Sequence, residues 1–197
     1  MPEIKTINPN NVFIGGGDLI TGQLAYGPLG TSLPDYPSEE VDDAFVNPGD
    51  VGEDGVSLSP DYSTSMIHNW SGAAIRTVLE NFEGTIQVPL LETNAESMKM
   101  MVGEEYYSTI EADATHGIVH KMKFGAHLAP AGVFLLRMKD GDKRMMIEVP
   151  NGQVAGIDEV DFTSSDAVIW PVTINCNDDG QGSSIYVITD DGQKVSA

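Results

Sequence analysis

Four histidines are the first candidates for chemistry: His68, His116, His120 and His127. His116 and His120 stand four apart, a spacing that puts two imidazoles on one face of a helix and could hold a metal. The segment around them alternates like a strand, however, and lacks the acid of the H-E-x-x-H arrangement. His120 therefore reads as a core or interface residue. Gly15-Gly16-Gly17 has no Lys-Ser/Thr pair or helix behind it, so it is a turn and not a phosphate cradle. Asp178-Asp179-Gly180 and Asp190-Asp191-Gly192 look like fragments of calcium loops. They lack the alternating ligands and distal Glu of such a loop, and turn chemistry explains them better. Cys176, the single cysteine, has no base nearby in sequence. No nucleophile elbow surrounds any serine. Carboxylates are abundant, but they cluster in turn-like sequence, where they are solvated and not paired for acid–base work. Neither catalytic, cofactor nor metal residues are expected. Trp70 and Trp170 each follow an apolar stretch and are expected in the core.

The elements that would have to position any site are mostly strands. Residues 1–11 are polar, contain Pro2 and Pro9, and read as an N-terminal arm. Val12-Phe13-Ile14 stops at the three glycines, and residues 18–26 form a weak strand candidate. Residues 27–60 are rich in Pro, Gly and Asp. Pro28, Pro34, Pro37, Pro48 and Pro60 exclude a continuous helix or central strand there. So long a loop is unusual in a compact domain, and its apolar side chains argue that it docks on something.

Tyr62–Trp70 is a strand candidate. Residues 73–82 fit strand or helix, and Thr85–Leu90 alternates as a half-buried strand. Residues 94–102 give the clearest helix. Thr93 or Asn94 can cap it, Glu96 suits its positive end, and Gly103 stops it. Met98, Met101 and Val102 mark its buried face. Residues 117–126 alternate as a strand. Residues 132–139 and 143–149 flank Asp140-Gly141-Asp142, a hairpin signal. Strands follow at 153–162, 167–176 and 184–189, with residues 177–182 joining the last two as a hairpin. The expected fold is mainly β: one domain over residues 1–197, an antiparallel sandwich or partial barrel with one flanking helix and long loop segments.

Charge is the strongest compositional signal. Among 197 residues, 30 acids stand against 10 bases, a formal net charge of −20. Such a surface repels phosphate, which disfavours ordinary nucleic-acid binding. It also keeps separate copies soluble. An acidic solvated surface is the simple explanation; a wall that DNA must pass without sticking is the sharper one. The charge is uneven. Neither Lys nor Arg occurs between Lys5 and Arg76, whereas most bases lie between Lys99 and Arg144. The N-terminus lacks the basic and apolar regions of a signal peptide. Apolar runs stay short of the roughly 20 residues that span a bilayer. One cysteine fits a reducing compartment. These features point to the host cytoplasm as the place of synthesis, with no membrane insertion.

Several segments, in order, resemble the tail tube (major tail) proteins of long-tailed non-contractile phages, especially those of actinobacterial hosts. They are Tyr26-Gly-Pro-Leu-Gly-Thr-Ser-Leu-Pro-Asp35, Val51-Gly-Glu-Asp-Gly-Val56, Trp70-Ser-Gly-Ala-Ala-Ile-Arg76 and Leu90-Leu-Glu-Thr-Asn-Ala-Glu-Ser-Met98. Trp170-Pro-Val-Thr-Ile174 and Ile185–Gly192 complete the pattern, which covers most of the chain from Tyr26. The resemblance implies a structural virion protein and not an enzyme. It implies six-membered rings stacked into a tail tube, with DNA passing through the lumen without specific binding. It also implies assembly in the host cytoplasm with a tape-measure protein, tail tip and tail terminator. Six copies at −20 each would place −120 in one ring, which suits a conduit that DNA must slide through.

Within that picture, Leu33, Tyr36, Val41, Phe45 and Val46 are expected to dock the 27–60 loop on a neighbour. Asp42, Asp43, Glu53 and Asp54 would meet bases such as Lys143 and Arg144 there. The competing reading is a monomeric acidic β-sandwich that binds a carbohydrate or protein ligand.

Overall fold

In the computed structural model, residues 12–18 and 23–194 are described. The expected arm at 1–11 and part of the strand candidate at 18–26 lie outside them. Ten strands run in chain order: β1 (Gly16–Gly17), β2 (Leu24–Pro28), β3 (Ser57–His68), β4 (Ala74–Leu90), β5 (Tyr107–Ile110), β6 (Val119–Met122), β7 (Gly132–Asp140), β8 (Lys143–Ile157), β9 (Trp170–Cys176) and β10 (Tyr186–Asp190). One α-helix, α1 (Ala95–Val102), sits between β4 and β5.

All pairings are antiparallel, in the order β1-β7-β8-β9-β4-β3. The main sheet stays open and does not close into a barrel, while β5 and β6 form a separate two-stranded ribbon. The β class, the antiparallel pairing and the single helix therefore agree with the sequence pattern.

Alternation builds the core. Ile86, Val88 and Leu90 from β4 face Trp170, Val172 and Ile174 from β9, with Phe134, Leu136, Ile147, Val149 and Val154 completing the layer. Successive strand residues point to opposite faces, so these positions form one apolar surface. Helix α1 covers it with Met100, Met101 and Val102, while Met98 is only half-buried. Asn94 caps the helix by accepting from Ser97 N at 2.8 Å, and Ser97 Oγ accepts in return from Asn94 N at 3.0 Å. Thr93 does not cap; its Oγ1 accepts from Trp170 Nε1 at 2.8 Å and ties the helix approach to β9. The tight turn after β7 relies on Gly141, whose φ of 63° suits a residue without Cβ.

Three expectations need correction. Residues 153–162 are not a separate strand. β8 runs unbroken from Lys143 to Ile157 with an irregularity between Val154 and Gly156, and the chain leaves the sheet beyond it. Residues 177–182 do not join β9 and β10 as a hairpin. β9 pairs with the second half of β8 and β10 with its first half, so the two lie in line along one edge of β8. Hydrogen bonds from Asn177 N to Asn151 O and from Asn151 Nδ2 to Asp178 O tie the intervening excursion down. Finally, residues 117–126 contribute only the four-residue β6, exposed except for Met122.

Candidate assembly surface

The most conspicuous feature is the β3–β4 hairpin. β9 pairs with β4 only from Gly84 to Leu90. Beyond Gly84 the hairpin continues alone to a turn at residues 69–73, reaching about 40 Å past the sheet at the usual strand rise. Asn69 makes that turn: its Oδ1 accepts from Ser71 Oγ at 2.8 Å and from Ala73 N at 2.9 Å, and Gly72 has φ of 85°. Bulges interrupt the pairing at Ser63/Thr64 and Ile67/His68.

Among the described residues, no strand pairs with the outer edge of β3, and none pairs with the edge of β4 away from β3 between Ala74 and Glu83. Its side chains are also unusual. Tyr62, Met66, Ile67, Ile75 and Leu79 are exposed, and Trp70 at the tip is fully exposed at 105%. The expectation that Trp70 packs in the core is wrong, whereas Trp170 does pack there. Residues 62–79 contain no acid and a single Lys or Arg, Arg76. A solvated apolar projection of this kind marks an interaction surface, and a free strand edge is a template for pairing.

The 27–60 segment is held on its own subunit. Tyr26 and Val46 exchange backbone hydrogen bonds at 2.9 and 2.8 Å, and Val51 bridges to Leu90. Pro34, Pro37 and Pro48 are buried. Of the five apolar residues expected to dock, Leu33, Val41, Phe45 and Val46 are half-buried, and Tyr36 is exposed. Asp42, Asp43, Glu53 and Asp54 are all exposed. Lys143 and Arg144 lie at the far β7–β8 turn, where Lys143 Nζ donates to Val12 O at 3.2 Å. The loop ends earlier than the sequence indicates, because β3 begins at Ser57.

Under this loop the sheet carries buried charge. Arg137 and Glu148 are 4% and 6% exposed, on the face opposite the main core. Arg137 Nη2 donates to the carbonyl of Glu39 at 2.7 Å, pinning the acidic loop. Glu148 Oε1 and Arg137 Nε have no hydrogen-bond partner among the described residues. Burial first, and Asp35 second, push the Glu148 carboxyl up to about 7, against the pull of Arg137.

Elsewhere the candidate chemistry finds structural explanations. Cys176 is buried, and burial raises its thiol to about 11, far from a reactive thiolate. His116 packs into a turn on Asp113 at 3.1 Å, and His120 bonds to Tyr107 across the β5–β6 ribbon. Among the described residues, no three His, Cys, Asp or Glu side chains converge as metal ligands. No described helix is long and apolar enough to cross a membrane.

Comparison with known proteins adds a family. A family model described as "Phage tail tube protein" matches residues 5–197. No curated protein matches. Among solved structures, the chain is similar to the anti-feeding prophage cap (AFP tube terminating cap), seen by cryo-electron microscopy. The two share 11% identity and a TM-score of 0.47, over 92% of this chain and 98% of that one.

Proposed function

This chain belongs to the phage tail tube protein family, and from that premise we propose that its copies join head to tail into six-membered rings that stack as a tube for DNA. The family makes it a structural component of the virion tail and not an enzyme. The β3–β4 hairpin is the observation that carries the assembly reading. It presents apolar side chains and unpaired edges that the described residues of its own subunit leave in water. A head-to-tail contact between unlike surfaces closes into a ring when the rotation allows it. The net charge of −20 suits a bore that DNA passes without binding. Tape-measure, tail tip and terminator proteins are the partners this reading requires.

Negative-stain electron microscopy over a concentration series tests it. Rings or hollow tubes are expected. Uniform small particles at every concentration, with or without a tail tip to nucleate growth, would instead favour a monomeric binding module.

The 27–60 loop is proposed as a second contact, with Asp42, Asp43, Glu53 and Asp54 facing Lys143 and Arg144 of a neighbour. The exposure of these four acids on a pinned loop supports this. Arg144→Glu should weaken polymerisation at low salt, measured by sedimentation. Unchanged assembly would remove this pairing and leave the hairpin contact standing.

A further inference from the structure

One apolar pocket has no occupant among the described residues. It holds about 560 Å³ between the end of β8, the segment after it, and residues 124–129. Phe124, Leu128, Val160, Phe162 and Trp170 line it, and Asp158 stands at its wall. Phe162 meets Trp170 edge-on at 6.3 Å, yet Phe162 is 74% exposed and Phe124 and Leu128 are also exposed. Two exposed phenylalanines and a leucine around one concavity ask for an apolar anchor. Asp158 is exposed, and Glu159 and Asp161 beside it in sequence are exposed without lining the pocket.

The hairpin tip has the complementary features. Trp70 is left fully exposed by the described residues of its subunit, and a tryptophan is the side chain that gains most from entering such a pocket. Arg76 pairs with Ile67, three residues from Trp70, so its backbone position is about 10 Å behind that of Trp70 along the hairpin. It is exposed, with no carboxylate partner among the described residues. An apolar tip backed by one cation matches an apolar pocket with one carboxylate, Asp158, in its wall. A pocket of this volume takes an indole.

From this match we infer that the hairpin of one copy inserts Trp70 into the pocket formed by Phe124, Phe162 and Trp170 of the next copy, with Arg76 against Asp158. The inference rests on the self-assembly reading and gives that reading a specific joint. The contact is heterologous, since tip and pocket are different surfaces of the same chain, and so it propagates.

Acrylamide quenching of tryptophan fluorescence in dilute and polymerised protein tests it. Trp170 is shielded in both states, and a Trp70→Phe protein sets its baseline. Trp70 should be freely quenched in the dilute protein and protected in polymers. Trp70→Ala should raise the concentration needed for assembly at least tenfold while leaving the monomer's thermal melt unchanged. Arg76→Glu should impair assembly, and adding Asp158→Arg should restore it. Polymers in which Trp70 stays fully quenchable would overturn the joint but not self-assembly. A protected Trp70 with no effect of Phe162→Lys or Asp158→Arg would place the tip elsewhere and overturn the pocket. Failure of the wild-type chain to polymerise at all would sink both readings.

Discussion

Glu148 sits on β8 directly across from Leu135, and Arg137 sits across from Met146. A carboxylate here has lost most of its water, and the cost is only partly offset by Arg137. Its folded value, raised to about 7, exceeds the ordinary carboxyl value of 4.5. The folded state therefore holds the proton more tightly than the unfolded chain. That contribution is fully present below about 4.5 and is lost as pH rises through about 7. It amounts to about 1–3 kcal/mol. Other carboxylates titrate in the same range, so the informative quantity is the difference between wild type and Glu148→Gln. The variant should be the more stable protein at pH 8, with its advantage shrinking towards pH 4.5, by urea denaturation. An identical pH slope in both proteins would show that Glu148 is ionised at no such cost. None of this is legible in sequence. Glu148 lies in an alternating strand where a glutamate reads as the solvent face, but the 27–60 loop folds back over that face, with Glu39 on Arg137 and Asp35 near Glu148.

At the scale of elements, local chemistry is legible in the sequence and long-range pairing is not. Asn94, Glu96 and Gly103 announce α1, and Gly141 announces the β7–β8 turn, because caps and turns depend on residues a few positions apart. The in-line placement of β9 and β10 along β8 depends on contacts with Asn151, which no local pattern encodes. The hairpin is half-visible. Asn69 and Gly72 between two β-branched runs are a turn signal, but Trp70 reads as a core residue because a large aromatic is normally buried. That inference holds for a lone domain and fails for a surface completed by another copy. The hairpin's independence can be tested directly. Residues 62–82 add no side chain to the core cluster. Replacing them by Asn-Gly keeps the Asp61–Glu83 pair and removes the projection. The shortened protein should melt within about 3 °C of wild type by circular dichroism. It should form no rings or tubes. Loss of folding would mean that the hairpin belongs to the domain's own stability; normal tubes would mean that assembly uses another surface.

For the whole molecule, charge and apolar surface oppose each other. Two copies at −20 each, about 40 Å apart, repel by ~40 kcal/mol in pure water treated as point charges. Screening lowers this to about 10 kcal/mol at 0.01 M salt and to under about 1 kcal/mol at 0.15 M. Spreading the charge over the surface lowers each figure and keeps their order. A single exposed ion pair between copies contributes about 0–1 kcal/mol and weakens over the same salt range. The repulsion is the larger effect, so salt should promote assembly even though it weakens each pair. The concentration needed for polymers should fall as salt rises from about 0.01 to 0.15 M, by light scattering. It should fall again at fixed salt as pH drops from 8 towards 5, because the chain approaches its isoelectric point near 4.2. If rising salt instead dissolves the polymers, intersubunit ion pairs outweigh the apolar hairpin. The acidic loop facing Lys143 and Arg144 would then be the principal joint, and Trp70 a secondary one.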